Sequence, residues 1–135
     1  MSTYARYAVR GAGTAIAVSF RAFPPFTRMS NIDAIDPLRL HDMKQHGDVV
    51  LVDVRTDLEV SRGVIPGARH IPLHLLPARF EEIDRSRAVV FYCQSGARSA
   101  QASAFLSGKG WQEVYNLAGG MNAWVGKGMP IAAPG

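Results

Sequence analysis

The sequence predicts an α/β domain built on a parallel sheet with helices on both faces. Apolar runs rich in β-branched residues, Val49 to Val54 and Ala88 to Tyr92, read as buried strands. Helix-start signals fall between them, and glycine or proline marks most boundaries. Strands separated by helical connections pair in parallel, and a parallel sheet needs cover on both sides.

Each element has its own signal. Asp36-Pro37 places an N-cap before a proline at the first helical position and opens a helix through about Gln45, which stops before Gly47. The strand Val49 to Val54 follows. Thr56 and Glu59 have capping-box spacing, predicting a helical turn that ends at Gly63. Pro66-Gly67 then turns the chain into a short extended piece at Arg69 to Ile71, and Pro77 to Ile83 is expected to be helical. After the strand Ala88 to Tyr92, a helix is expected from Ser99, ended by Gly108 and Gly110. Glu113 to Asn116 reads as a strand and Gly120 to Val125 as a last helix. In such a sheet the ligand crevice lies at the carboxyl ends of the strands.

Cys93 occupies that position. It is the only cysteine among 135 residues and is followed by Gln94-Ser95-Gly96-Ala97-Arg98-Ser99. A lone cysteine of unknown setting is ordinarily a small buried hydrophobe. Here the residues after it are small and polar, contain a glycine and lead into a helix N-terminus, where unpaired N–H groups and the helix dipole favour negative charge. A thiol of pKa about 8.5 is only about 3% thiolate at pH 7, and a drop of roughly two units multiplies the nucleophile about 25-fold. The setting therefore marks Cys93 as a reactive thiol.

Composition removes several function classes. Hydrophobic residues make up 47% of the chain, enough for one compact domain with a real core. One cysteine allows no intramolecular disulfide and supplies no resolving thiol, so the cytoplasm is the expected compartment. His41, His46, His70 and His74 lack zinc-site spacing, and no metal is expected. The net charge of +4 resides wholly in Arg6, Arg10, Arg21 and Arg28; eleven basic and eleven acidic residues balance over 29–135. No basic stripe or aromatic-basic platform points to nucleic acid.

Residues 1–30 read as a separate basic leader or extension, with the domain over 31–135. Phe23-Pro24-Pro25-Phe26 closes the leader, and Gly11 to Phe20 is too short to span a bilayer, so no stable membrane insertion is expected. An acid-free, arginine-rich leader suits an organelle transit peptide or a poor secretory signal, and would make the protein organellar or exported if residues 1–28 are a targeting segment. The favoured reading is a natural start at Met29, which leads directly into the domain.

The loop Cys93 to Ser99 resembles the active-site loop of rhodanese-type sulfurtransferases. Leu51-Val52-Asp53-Val54-Arg55 matches that family's strand ending in Asp-Val-Arg, and Glu59, Gly63, Ile65-Pro66-Gly67-Ala68 and Ile71-Pro72-Leu73 match the segment after it. Asn116-Leu117-Ala118-Gly119-Gly120-Met121 with Trp124 matches its closing motif. The match spans about residues 36 to 131 in the family's order. Val64 departs from it, standing where the family usually has histidine, and this is expected to affect local hydrogen bonding more than chemistry.

The resemblance implies a rhodanese-like parallel sheet and sulfur transfer without a cofactor. Cys93 takes the outer sulfur of a small anionic donor such as thiosulfate, becomes a persulfide, and passes the sulfur to cyanide in assays or to a thiol or thioredoxin-like acceptor. Thiosulfate is preferred over 3-mercaptopyruvate, because that branch of the family usually carries Gly-Val-Thr where this loop has Gly96-Ala97-Arg98. The N–H groups of Gln94, Ser95, Gly96, Ala97, Arg98 and Ser99 are expected to hold the sulfur anion, with the Arg98 fork receiving the donor rather than forming a surface salt bridge. Asp53 and Arg55 could support substrate, although an ion pair fixing the loop entrance is the stronger expectation. Gly119-Gly120 reads as a turn needing unusual backbone angles, and Trp111 and Trp124 as packing. One rival is a cysteine-dependent phosphatase on the same fold, whose loop resembles Cys-x5-Arg where this chain has four intervening residues. The other is a non-catalytic rhodanese-type binding module, in which the cysteine is commonly replaced.

Overall fold

A computed structural model describes residues 32–135. The readings placed on residues 1–30, including the leader and a start at Met29, lie outside the described residues. In chain order the elements are β1 (Asp33–Ile35), α1 (Pro37–Gln45), β2 (Val49–Asp53), α2 (Asp57–Ser61), β3 (Arg69–His70), α3 (Leu76–Arg79), β4 (Ala88–Tyr92), α4 (Ala97–Gly108), β5 (Val114–Leu117) and α5 (Gly120–Gly126). The strands form one sheet in the order β1-β5-β4-β2-β3, and every pairing is parallel. Among the described residues no helix is long and apolar enough to cross a membrane.

The expected caps are present. Asp36 Oδ1 accepts from the Arg39 N–H at 2.8 Å, and Pro37 fills the first turn, where a missing N–H costs nothing. The Thr56 hydroxyl accepts from the Glu59 N–H at 3.2 Å while Glu59 Oε1 accepts from the Thr56 N–H at 3.0 Å, a complete capping box.

Two expectations need correction, and one element was not foreseen. The helix placed at Pro77 to Ile83 is a broken one: 3-10 turns at Leu73–Leu75 and Phe80–Glu82 flank a four-residue α3. Arg79, at φ −125°, takes the chain out of α geometry between them. The helix expected from Ser99 begins two residues earlier, at Ala97, because Gly96 adopts φ +113° and completes the turn sooner. Finally, β1 carries no sequence signal: three residues are too few for a periodic pattern. It is a strand because β5 offers it a parallel edge, pairing Asp33 with Tyr115 and Ile35 with Leu117.

Side-chain alternation along the sheet divides the core into two clusters. On one face, Val50, Val52, Val89, Phe91 and Cys93 pack with Leu76 of α3 and with Ala102 and Leu106 of α4. On the other, Leu51, Val90 and Tyr92 pack with Leu40 of α1 and with Met121 and Trp124 of α5. Burial on both faces explains why β2 and β4 read as continuous apolar runs. Trp111 and Trp124 are both core residues, and the indole N–H of Trp124 donates to the Pro130 carbonyl at 2.7 Å.

At the carboxyl end of β2 the core holds an ion pair. Asp53 is fully buried and Arg55 is 2% exposed. The Arg55 Nε donates to the two carboxylate oxygens at 3.0 and 3.1 Å, and Nη2 donates to Oδ2 at 2.8 Å. Nη2 also reaches the Gly63 carbonyl at 2.8 Å, and Nη1 reaches Gln94 Oε1 at 3.1 Å. Burial works against the Arg55 charge, but the hydrogen bond and charge of Asp53 outweigh it and raise its pKa. A buried charge that loses its partner costs about 3–5 kcal/mol. Asp53→Ala should therefore destabilise by roughly that amount in urea denaturation, far more than an exposed replacement such as Asp48→Ala; equal effects of the two would contradict the assignment.

Candidate active site

Cys93 follows β4 directly, and its register against β2 places it at the carboxyl edge of the sheet. The residue is 1% exposed. Its Sγ accepts the Gly96 N–H at 3.0 Å and lies 3.4 Å from the Ser99 hydroxyl. Burial alone would push the thiol up. The Ser99 hydroxyl and the N–H groups of Ser99, Gly96 and Ser95 outweigh burial, and the pKa falls below its ordinary value. The first turn of α4 thus does for the sulfur what water does for an exposed thiolate.

The cradle works because the peptide groups around it are turned one way. The carbonyl of Cys93 accepts from the Met121 N–H at 2.9 Å, and that of Gln94 accepts from the Asn122 N–H at 3.1 Å. The first turn of α5 thereby satisfies these two carbonyls, while the N–H groups of Ser95, Gly96 and Ser99 serve the sulfur. Gly119 and Gly120, at φ +74° and +55°, make this approach possible. A Cβ on Gly120 would collide with the Cys93 carbonyl and lie 2.8 Å from Gln94 O. The expected turn is thus also a close backbone contact.

The remaining predicted residues fall into distinct places. Ser95 and Ala97 are exposed. The Gln94 side chain lies between Arg55 Nη1 and Asn122, donating to Asn122 Oδ1 at 2.7 Å, so Gln94 ties Arg55 to α5. Arg98 differs from expectation. Its Nη1 and Nη2 donate to Oε1 and Oε2 of Glu59 at 2.7 and 2.8 Å, a bidentate pair with side chains 33% and 22% exposed. The open fork foreseen for a donor is already occupied. Arg98 still lies near enough to Cys93 to feel its charge: the bond to Glu59 chiefly raises its pKa, burial opposes, and Cys93 adds to the rise.

Two participants escaped the sequence reading. Asn116, at the end of β5, places Oδ1 2.5 Å from the Ser99 hydroxyl and donates from Nδ2 to the Gly96 carbonyl at 3.3 Å. Its pairing with Phe91, two residues before Cys93, would have revealed it once the parallel register was known. Glu59 was legible as a cap and as part of the family match, with no role beside the thiol. A pocket of about 410 Å³ adjoins the loop, lined by Arg55, Glu59, Arg62 and Gln94 with Met121, Val125 and Ile131 among its apolar residues. Its outer wall is held by Val64, whose backbone pairs with Ala132 in an antiparallel bridge. No group of three or more His, Cys, Asp or Glu side chains converges on a metal-binding arrangement among the described residues.

Comparison with known proteins decides the family. The model of the rhodanese-like domain matches residues 36–127, more than half of the chain. The chain belongs to the rhodanese-like family. A sulfurtransferase of Allochromatium vinosum is 53% identical over 87 residues, covering 64% of this chain and 81% of the relative. The thiosulfate sulfurtransferase GlpE of Stutzerimonas stutzeri is 34% identical over 96 residues, covering 71% and 87%. Among solved structures, a Rhodopseudomonas palustris protein of unknown function, described as a possible tyrosine phosphatase, superposes with a TM-score of 0.68 at 27% identity, covering 84% of this chain and 98% of that one. Sulfur transfer is thus the general activity that the rhodanese-like relatives support.

Two outcomes follow for this rhodanese-like site. Ser99→Ala removes a group that lowers the thiol pKa, so the midpoint of Cys93 alkylation against pH should rise; an unchanged midpoint would assign the stabilisation to backbone N–H groups alone. Glu59 is held at about 2, against an ordinary 4.5, first by the Arg98 hydrogen bonds and then, against the cost of burial, by Thr56. Because the folded value is the lower one, the stability it contributes is present above pH 4.5 and is lost as pH falls toward 2. The stability gap between wild type and Glu59→Gln, read by thermal melting, should close across that window and stay constant above it.

Proposed function

We propose that the protein is a thiosulfate sulfurtransferase that carries sulfane sulfur as a persulfide on Cys93. The supporting observation is the sulfur's environment: a unique thiol, buried at a strand end, accepting hydrogen bonds from the first turn of α4. The Cys93 thiolate attacks the outer sulfur of thiosulfate, an S–S bond forms to Sγ, the original S–S bond breaks, and sulfite leaves with the electron pair. The persulfide's terminal sulfur now carries the negative charge, and the same N–H groups can follow it. Cyanide or a thiolate then attacks that sulfur and releases the Cys93 thiolate. Protons and electrons balance without a cofactor. A persulfide donor enters by the same displacement with a thiolate as leaving group.

In this reading residues 31–135 carry the activity and the basic segment 1–30 is separable from it. The acceptor is a low-molecular-weight thiol or a thioredoxin-like protein, and a chain with one cysteine suits a reducing cytoplasm. Asp53 and Arg55 hold the loop through Gln94 rather than touching the donor. The likeness to a possible tyrosine phosphatase keeps a phosphatase reading in view. Two features oppose it: only four residues separate Cys93 from Arg98, which makes a ring suited to one sulfur atom, and the Arg98 fork is filled by Glu59. The presence of the cysteine opposes a non-catalytic module.

Intact mass after thiosulfate treatment should show one added sulfur on the wild type and none on Cys93→Ser, which should melt near wild type and form no thiocyanate from thiosulfate and cyanide. Aryl phosphates should be hydrolysed negligibly by the same preparation. Turnover in Cys93→Ser would remove the mechanism, and robust phosphatase activity would remove the assignment.

A further inference from the structure

The pair between Arg98 and Glu59 is too well built to be an incidental surface contact. Both terminal nitrogens of the guanidinium meet both oxygens of the carboxylate, the bidentate geometry in which the arginine fork loses least on pairing. Glu59 is itself fixed. Its Oε1 also accepts the Thr56 N–H at 3.0 Å and the Thr56 hydroxyl at 3.1 Å, so the acid that closes the cap of α2 is the acid that seizes Arg98. The start of α2 is anchored in turn, since Arg55, immediately before Thr56, is locked to Asp53 in the core. An unbroken series of bonds therefore runs from the end of β2 through α2 to the helix turn that cradles Cys93. Glu59 also lines the pocket beside the loop, where an incoming donor would meet it.

Sulfane donors differ mainly in charge. Thiosulfate is a dianion, whereas an alkyl persulfide bears one negative charge or none at its reacting end. An uncompensated guanidinium beside the thiol would favour the dianion; a guanidinium neutralised by a fixed carboxylate does not. We propose that Glu59 is a specificity-determining positioning residue, which clamps Arg98, cancels its charge beside Cys93 and so reduces the bias toward dianionic thiosulfate, letting less highly charged sulfane donors serve as well. This rests on the sulfur-transfer reading above, and it assigns to Glu59 a role in that chemistry distinct from capping a helix.

Glu59→Gln is the appropriate variant, because glutamine can keep the capping bonds to Thr56 while giving up the charge and one acceptor for Arg98. The Michaelis constant for thiosulfate should fall about three- to tenfold, and that for ethyl persulfide should change by less than about twofold. The pH midpoint of Cys93 alkylation by iodoacetamide should fall, because the Arg98 charge is no longer cancelled. In an Arg98→Gln background the same Glu59 replacement should leave donor preference unmoved. A merely structural Glu59 would instead impair both donors equally, without lowering the midpoint, and that result would overturn the proposal. Alkylation needs no sulfur transfer. A lowered midpoint in a protein that accepts sulfur from neither donor would therefore defeat the proposed function and the donor bias that depends on it while upholding the clamp, and an unchanged midpoint would defeat the clamp in a fully active enzyme.

Discussion

A negative charge on sulfur at the buried end of β4 has no bulk water to solvate it, and most of the site can be understood as a response to that constraint. The response comes from backbone. The N–H groups of Ser95 and Gly96 and the first turn of α4 face Sγ, while other groups take the carbonyls of Cys93 and Gln94 at the start of the same loop. Those groups are the N–H donors of Met121 and Asn122, which belong to α5, on the opposite face of the sheet from α4. The two core clusters therefore meet at the reacting residue. Side chains can be exchanged more freely here than peptide orientation, and Gly120, where a Cβ would collide with the Cys93 carbonyl, is the residue that lets the two helix starts approach.

Charges around the loop are arranged in pairs rather than as an open field. Asp53 neutralises Arg55 and Glu59 neutralises Arg98, and each cation also touches or senses the loop, the first through Gln94 and the second through proximity to the thiol. Such pairing keeps guanidinium geometry available for positioning while limiting its long-range attraction. It also separates two jobs that a single arginine might otherwise combine: holding the loop in shape and attracting an anion.

Much of this was legible before any coordinates. Local chemistry writes itself into sequence where one residue type answers one local demand: Asp36 before Pro37, Thr56 three residues before Glu59, and the paired glycines after Ala118 were each readable on their own. The strands β2 and β4 were legible because burial on both faces makes them continuously apolar. What stayed hidden depends on partners distant in sequence. β1 is too short to have a pattern and exists through β5; the helix around Pro77 is broken by its own Arg79 backbone; and Asn116 matters because β5 lies beside β4. The partner of Arg98 was hidden for the same reason. Glu59 lies 39 residues away, and the residue types alone gave Arg98 a free fork and Glu59 a cap, with nothing local to join them.

The wall of the pocket opposite the loop has a different character from the rest. Ile131, 52% exposed, is held there by the two reciprocal backbone bonds between Val64 and Ala132, each 2.8 Å, and by the Trp124 indole donating to Pro130. None of these bonds belongs to the five-stranded sheet. The segment can therefore open with a smaller free energy than global unfolding, exposing its amides to hydrogen exchange while the sheet and the sulfur cradle stay intact. The wall of the site is in this sense fastened by a thin strap of backbone, separate from the sheet on whose rigidity the chemistry depends.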